Sequence, residues 1–337
     1  MQQINRNVLV TGGAGYIGSH AVRALSAAGY TPVIFDNFST GHREFVGEFP
    51  LVEGSVGDTA LVSRAVKQYN IGAVMHFASF INVGDSVHAP AEYYRNNVAE
   101  GVTLITALKA CGVRRFILSS TCAVYGAVAG VRALTESDPI APLNPYAHSK
   151  RMLEIVLTDM ARAGEMDSVI FRYFNAAGAA ESNETGEWHE PETHLIPNLL
   201  RSALSNGKIP LRVFGNDYQI PGRDGTAVRD YIHVTDLADA HVRGLEFLER
   251  ERGCTIINLG TGNGASVLEV IRTAEQVLGQ KIAFEYHPRR EGDAPYLVGD
   301  NEKAQQLLGW RPEKSLADIL RTAWEWEKKL ATLKNRN

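Results

Sequence analysis

Cysteine is scarce. Three residues in 337, Cys111, Cys122 and Cys254, are odd in number and widely spaced, so they suggest no disulfide framework. No C-x-x-C pair is present, so no zinc site is suggested either, and no metal is expected. Long apolar runs are missing too: none approaches the roughly 18 residues of a membrane helix. The amino terminus reads Met-Gln-Gln-Ile-Asn-Arg-Asn and is followed by only a short apolar run, unlike a secretory segment. A basic excess is also absent. Lys plus Arg is 34 against 38 for Asp plus Glu, a net charge of −4, which gives no field for nucleic acid. These absences point to a reduced, cytoplasmic compartment and to neither nucleic-acid nor membrane partners. With 45% hydrophobic and 21% charged residues, the composition is that of a globular chain, not a disordered one. The length suggests about two domains.

The first half alternates short β-branched runs with helical patterns. Strands are expected at Val8–Val10, Thr31–Phe35, Leu51–Val52, Ala73–Phe77, Arg115–Ser119 and Ser168–Tyr173. Helices are expected at Ile17–Ala28, from Thr59 with Asp58 as its cap, at Ala91–Ala110 and from Tyr146. Such alternation makes an α/β fold, a Rossmann-like doubly wound parallel sheet with its site at the carboxyl ends of the strands. From Ala176 the pattern loosens. Ala176–Glu192 reads as a loop, followed by helices near 195–205 and 235–248 and strands near 211–214 and 282–286. A dinucleotide-binding domain over 1–175, with a strand returning near 256–259, and a smaller mixed α/β substrate domain over 176–337 are expected.

Gly12, Gly15 and Gly18 stand between a predicted strand and a predicted helix. Glycines there let the backbone approach a pyrophosphate seated on the helix N-terminus. Alone, such a turn can simply join a strand to a helix. Asp36, at the end of the second strand, is placed to accept from a ribose 2′-OH and to repel a 2′-phosphate. That favours NAD over NADP, although Arg43 lies nearby.

Tyr146 and Lys150 are four residues apart and share one helix face. A neighbouring ammonium favours phenolate and lowers a tyrosine pKa, which suits Tyr146 to act as a general base towards a sugar hydroxyl. Lys150 is also placed to hold a nicotinamide ribose.

These residues resemble the extended short-chain dehydrogenase/reductase family, and within it the nucleotide-sugar epimerases. The resemblance covers nearly the whole chain. It runs through Thr-Gly-Gly-Ala-Gly-Tyr-Ile-Gly (11–18), His-Phe-Ala (76–78), Tyr-Tyr-Arg-Asn-Asn-Val (93–98) and Ser-Ser-Thr-Cys-Ala-Val-Tyr-Gly (119–126). It continues through Asn-Pro-Tyr-Ala-His-Ser-Lys (144–150) and Arg-Tyr-Phe-Asn-Ala-Ala-Gly (172–178). In the second half it includes Thr-His-Leu-Ile-Pro (193–197), Val-Phe-Gly-Asn-Asp-Tyr (213–218), Asp-Gly-Thr-Ala-Val-Arg-Asp-Tyr-Ile-His-Val (224–234) and Arg-Arg-Glu-Gly-Asp (289–293).

The resemblance implies Thr121 as a third catalytic group beside Tyr146 and Lys150. It places Tyr16 and Ile17 against the pyrophosphate, Asn37 near the adenosine ribose, and Ser55 and Val56 at the adenine. Phe77, Ala78, Asn96 and Phe174 would line the rest of the cofactor cleft. For a UDP-sugar it implies Asn175, His194 and Leu195 near the diphosphate or sugar, with Arg212, Val213 and Phe214 at the uracil. Arg229 and Arg290 suit the diphosphate, Asp293 the uridine ribose, and Leu297 the space beside the sugar. His233 is expected to be structural. A homodimer, formed through the helices near 91–110 and 146–163, is also implied.

Two departures stand out: Ser55 where many relatives carry Asp, and Ile81 where some carry Lys. Relatives that eliminate water, or that decarboxylate, carry carboxylates where this chain has Cys122 and Ala123. The resemblance therefore implies plain inversion at C4 of a UDP-hexose through a 4-keto sugar, with glucose and galactose the leading pair. The competing readings are an NAD-dependent dehydratase or dehydrogenase, an epimerase of UDP-N-acetylhexosamines or UDP-pentoses, and a catalytically silent nucleotide-binding module.

Overall fold

The structure, a computed structural model, describes residues 5–127, 130–290 and 294–334. In chain order the first half gives β1 (Asn7–Thr11), α1 (Tyr16–Ala27), β2 (Thr31–Asp36), β3 (Leu51–Glu53), α2 (Thr59–Gln68) and β4 (Ala73–His76). Then follow α3 (Val83–His88), α4 (Pro90–Tyr93), α5 (Glu100–Ala110), β5 (Arg115–Ser119), α6 (Pro145–Arg162) and β6 (Asp167–Tyr173). The second half begins with β7 (Asn175–Ala177), α7 (Leu195–Leu204), β8 (Leu211–Phe214), β9 (Val228–Arg229), β10 (Tyr231–His233) and α8 (Val234–Arg250). It ends with β11 (Cys254–Leu259), β12 (Ala265–Ser266), α9 (Val267–Leu278), β13 (Phe284–His287), β14 (Tyr296–Leu297), α10 (Glu302–Leu308) and α11 (Leu316–Lys334).

Seven strands form one parallel sheet in the order β11-β6-β5-β4-β1-β2-β3. The order reverses between β1 and β4, and a crevice at that switch point is where such sheets bind ligands. Alternate strand residues point to opposite faces. Val8, Val10, Ile34, Met75, Ile117 and Phe171 pack with α1 and α8. Leu9, Val33, Phe35, Val74, Phe116 and Ile170 pack with α2, α5 and α6. Both faces are covered, which is why these strands read as continuous apolar runs. The returning strand is β11, paired along β6, and α8 delivers it.

Local capping follows the sequence. Asp58 accepts from the Leu61 N–H at 2.9 Å and opens α2. Asn144 accepts from the Ala147 N–H at 2.9 Å, and Pro145 takes the first position of α6. The helix expected over 91–110 is interrupted. Tyr94–Ala99 winds as a π-helix between α4 and α5, a distortion that frequently marks functional sites. Here it accompanies Asn97, whose buried amide bridges the Phe80 backbone and the Ser149 hydroxyl. Five two- or three-residue strands of the second half, β7, β9, β10, β12 and β14, have no periodicity long enough to be read from sequence.

Candidate active site

The glycine turn is held in place by Gly12, whose N–H donates to Phe35 O at 2.8 Å and whose φ is +69°. A Cβ on Gly12 would lie 2.6 Å from Ala78 N, and one on Gly18 2.1 Å from Gly12 O. At Gly15 the only atom a Cβ would meet within 4 Å is Gly12 O, at 3.2 Å. Gly15 caps α1 with no side-chain hydrogen bond, and the first turn holds no acidic residue. Its amides are therefore available to an anion, and the glycines form a cradle that a Cβ would fill. This fits a dinucleotide pyrophosphate.

Asp36 is buried, and each carboxylate oxygen takes one backbone donor, Ala14 N–H and Phe38 N–H, both at 2.9 Å. Burial pushes its carboxyl up, while those amides pull it down. Each oxygen keeps acceptor capacity for a ribose hydroxyl. Arg43 is bound to Glu53 at 2.6 Å and lies over the Phe38 ring, so it is already engaged. Asn37 is exposed, its Oδ1 accepting from Ser39 N–H. The Ser55 hydroxyl donates to Glu100 at 2.5 Å and accepts from Gly57 N–H. Val56 is buried against the α2–α5 side of the core. Tyr16 is buried, and its hydroxyl donates to Gly178 O at 2.7 Å, while Ile17 stays half-buried. Phe77 and Ala78 follow β4 and donate their amides to Thr11 O, and Asn96 stands half-buried on the π-turn.

The three groups expected to carry the chemistry, Thr121, Tyr146 and Lys150, gather at the end of β5. Tyr146 lies in the first turn of α6, and Lys150 one turn on. Lys150 Nζ donates to Ser119 O at 2.9 Å, and burial brings its ammonium down to about 7, with Glu154 acting in the opposite direction. Burial also raises the Tyr146 phenol well above its ordinary value, helped by Tyr173; the Thr121 hydroxyl beside it pulls the other way. This direction is opposite to the one expected from the sequence. Lys150 reaches the β5 carbonyl, and desolvation dominates at the phenol. Thr121 accepts from Ala123 N–H and opens a short 3-10 turn. Burial pushes the Cys122 thiol up to about 12, so it stays neutral.

Beneath these groups lies a buried polar network that spacing did not disclose. Arg172 on β6 donates to Glu154 on α6 at 2.7 and 3.0 Å, and Ser120 donates to the same carboxylate at 2.6 Å. Arg172 also reaches Tyr125 OH, which donates to Asn258 Oδ1.

The second half carries the residues expected at the substrate, and two of them, Phe174 and Leu297, reach the turn that follows Thr121. Phe174 is buried with Cys122, Val124, Tyr125 and Leu134, and Leu297 packs on this cluster. Leu297 pairs with Arg229 across β14 and β9. The Asn175 Oδ1 is buried with no partner among the described residues, an acceptor left for a ligand. Arg290 lies 4.1 Å over the Phe214 ring, so one face of that platform carries a guanidinium. Val213 is buried, and Arg212 is exposed on the same strand. Leu195 begins α7 half-buried. Asp293 lies outside the described residues. His233 is fully buried and bonded to Thr322 and Thr235, a structural residue as expected. Asp230, not singled out from sequence, is buried and accepts from Thr261, Gly262 and Gly299, which fixes β14 against the end of β11.

His194, taken from sequence as a substrate contact, stands in a cluster with Glu187, His189 and Glu192. Its Nδ1 is 2.9 Å from Glu187 Oε1 and 2.9 Å from Glu192 Oε1. The sequence signal for this cluster is the spacing E-x-H-x-x-E-x-H across one short loop, which composition alone makes look like an ordinary polar connection.

A family model described as "NAD dependent epimerase/dehydratase family" matches residues 8–260. The chain belongs to that family. Within it, the chain is 48% identical to a UDP-glucose 4-epimerase of Rhizobium leguminosarum bv. trifolii over 96% of this chain and 97% of that one. A UDP-glucose 4-epimerase structure from Brucella ovis in complex with NAD superposes with a TM-score of 0.91 at 42% identity, covering 96% and 98% of the two chains. One from Stenotrophomonas maltophila, with bound NAD and formylated UDP-arabinopyranose, superposes with a TM-score of 0.94 at 36% identity, covering 97% and 99%. These epimerase/dehydratase relatives match the chain along almost its full length.

Proposed function

We propose that this chain interconverts UDP-glucose and UDP-galactose by inverting C4 through a transient 4-keto sugar, with NAD retained. The observation that carries the reading is the Tyr146–Lys150–Thr121 grouping at the end of β5, beside Cys122 and Ala123 and with no carboxylate at either. Elimination lacks its acid and base there, whereas proton exchange at one hydroxyl has what it needs.

Gly12, Gly15, Tyr16, Ile17 and Gly18 hold the pyrophosphate, and Asp36 and Asn37 the adenosine ribose. Ser55 and Val56 border the adenine, and Phe77, Ala78, Asn96, Lys150 and Phe174 line the remaining length. Bound there, NAD supplies the acceptor that takes the C4 hydride and gives it back on the other face. Tyr146 Oη takes the proton from the sugar 4-hydroxyl and later returns it. Tyr146 must meet the sugar as a phenolate and is a neutral phenol while the sugar is a 4-ketone. The first turn of α6, the Lys150 ammonium and the positive nicotinamide ring of bound NAD would favour the phenolate against the burial that raises the phenol. Thr121 Oγ1 orients the 4-oxygen. Arg229 and Arg290 grip the diphosphate with guanidinium forks, Phe214 packs on the uracil, and Asn175, Leu195 and Leu297 bound the sugar, His194 being taken up by the Glu187–Glu192 cluster. Held by its diphosphate, the sugar turns and presents its other face to the same Tyr146.

Incubation with UDP-galactose and no added NAD, followed by NMR and by absorbance at the NADH band, tests this. UDP-glucose at equilibrium without net NADH is the expected result. A dehydrated product or stoichiometric NADH would overturn it.

The chain pairs through α5 and α6, where Met152 and Ile155 are 41% and 45% exposed. Light scattering should return a dimer mass, and Ile155→Lys should return a monomer mass. No helix among the described residues is long and apolar enough to cross a membrane.

A further inference from the structure

We propose that Glu187, His189, Glu192 and His194 form a zinc-class metal site that clasps the loop between β7 and α7. The four donor atoms lie within 4.8 Å of one another. For Zn–N and Zn–O bonds of about 2.0–2.1 Å, the edge of a coordination tetrahedron is about 3.3 Å. Three of the six donor pairs lie near that edge: His189 Nδ1 is 3.4 Å from Glu187 Oε1 and 3.6 Å from Glu192 Oε2, and His194 Nδ1 is 2.9 Å from Glu187 Oε1.

A second observation concerns what these groups do not bond. Glu192 Oε1 already takes the Thr193 and His194 amides at 2.8 Å each and faces His194 Nδ1 at 2.9 Å. Glu192 Oε2, on a side chain with no exposed surface, has no hydrogen-bond partner. His189 Nδ1 is likewise buried without a hydrogen bond, its nearest carboxylate oxygens standing at 3.4 and 3.6 Å. These two atoms face one another across 3.6 Å, an ion-pair distance when the imidazole is protonated but too wide for a hydrogen bond, and wide enough for both to ligate one cation when it is not.

The chain holds them there by alternation. Trp188 points away, stacked on His42 with centroids 3.9 Å apart at 11°, so Glu187 and His189 project together to the other side. His194 is 44% exposed at its side chain and leaves a way in.

Two imidazoles with two carboxylates suit Zn2+ and disfavour Mg2+ and Ca2+, which prefer all-oxygen cages. The two carboxylates neutralise the dication. The His189 ring also meets Tyr16 edge-on at 6.2 Å, in the first turn of α1. The ion would therefore link the start of α7 to the helix that follows the glycine turn. Protons compete with the metal for the same nitrogens.

The test uses the full chain, stripped with a chelator, dialysed and titrated with Zn2+ alone, with the metal counted by elemental mass spectrometry. One Zn2+ per chain is expected, with a higher melting temperature when it is bound. His189→Asn and Glu192→Gln should each weaken binding more than about 100-fold, beyond the loss that removal of an outer-shell partner causes. Co2+ in place of Zn2+ should give the intense visible bands of a tetrahedral ion. No retained Zn2+, undiminished binding in both variants, or preference for Mg2+ would overturn the proposal. If a variant fails to fold, an unchanged melting temperature of the parent chain in Zn2+ overturns it as well.

Discussion

The two walls of the cleft are made of different materials. The dinucleotide wall is largely backbone: glycine amides at the start of α1, strand ends, and carbonyls such as Ser119 O, all fixed by one parallel sheet. The opposite wall is largely side chains, with Arg229, Phe214, Arg290 and Leu297 mounted on strands of two to four residues or on the chain between them. A backbone wall tolerates few changes in geometry and offers the same donors to any dinucleotide. A side-chain wall can be retuned residue by residue, so on the proposed function substrate choice belongs there.

That contrast can be broken at four points. Tyr146→Phe removes the proton carrier on the rigid wall, and kcat should fall about 10²–10⁴-fold with an unchanged circular dichroism spectrum. A smaller loss would move the acid–base role elsewhere. Glu154→Gln leaves the buried Arg172 without its counter-charge and should lower unfolding free energy by about 3–5 kcal/mol, read from urea melts. Arg290→Ala acts on the adaptable wall. Losing a charge-assisted bond worth about 1.5–3 kcal/mol should raise KM at least about tenfold with kcat nearly unchanged. A fall in kcat instead would place Arg290 in the chemistry.

The smallest effect is a slope. The Lys150 value in the fold, about 7, lies below its ordinary 10.5, so the folded chain holds this proton less tightly than the unfolded one. The penalty is complete below pH ~7 and is relieved as pH rises towards ~10.5. The cofactor-free protein should therefore gain melting temperature relative to Lys150→Met between pH ~7.5 and ~9.5. A constant difference would show that Lys150 keeps its ordinary affinity.

The same contrast decides what the sequence discloses. Gly12, Gly15, Gly18 and Asp36 are legible because a strand–turn–helix places them by local geometry. Tyr146 and Lys150 are legible because one helical turn separates them. Arg172 and Glu154 are 18 residues apart and meet only after α6 packs on β6. Asp230 finds Gly299 across 69 residues. Asn97 depends on a π-turn that helix periodicity averages away. Two-residue strands such as β9 and β14 take their shape from tertiary neighbours and carry no period of their own. The Tyr146 shift runs against the direction its spacing from Lys150 predicts for a related reason: spacing reports a neighbouring charge but not the depth of burial that opposes it.

The cover that α8 places on α1 has a consequence for the chain while it is being made. Val22, Leu25 and Ile34 share a core with Leu237, Leu245 and Leu248, which follow more than two hundred residues later. At the usual ribosomal pace of about 5–20 residues per second, roughly 10–40 s pass between the emergence of α1 and of its cover. During that interval one face of the nascent sheet stands bare. Substitutions that make that face stickier should therefore lower the yield of new protein on the ribosome well before they alter the finished molecule.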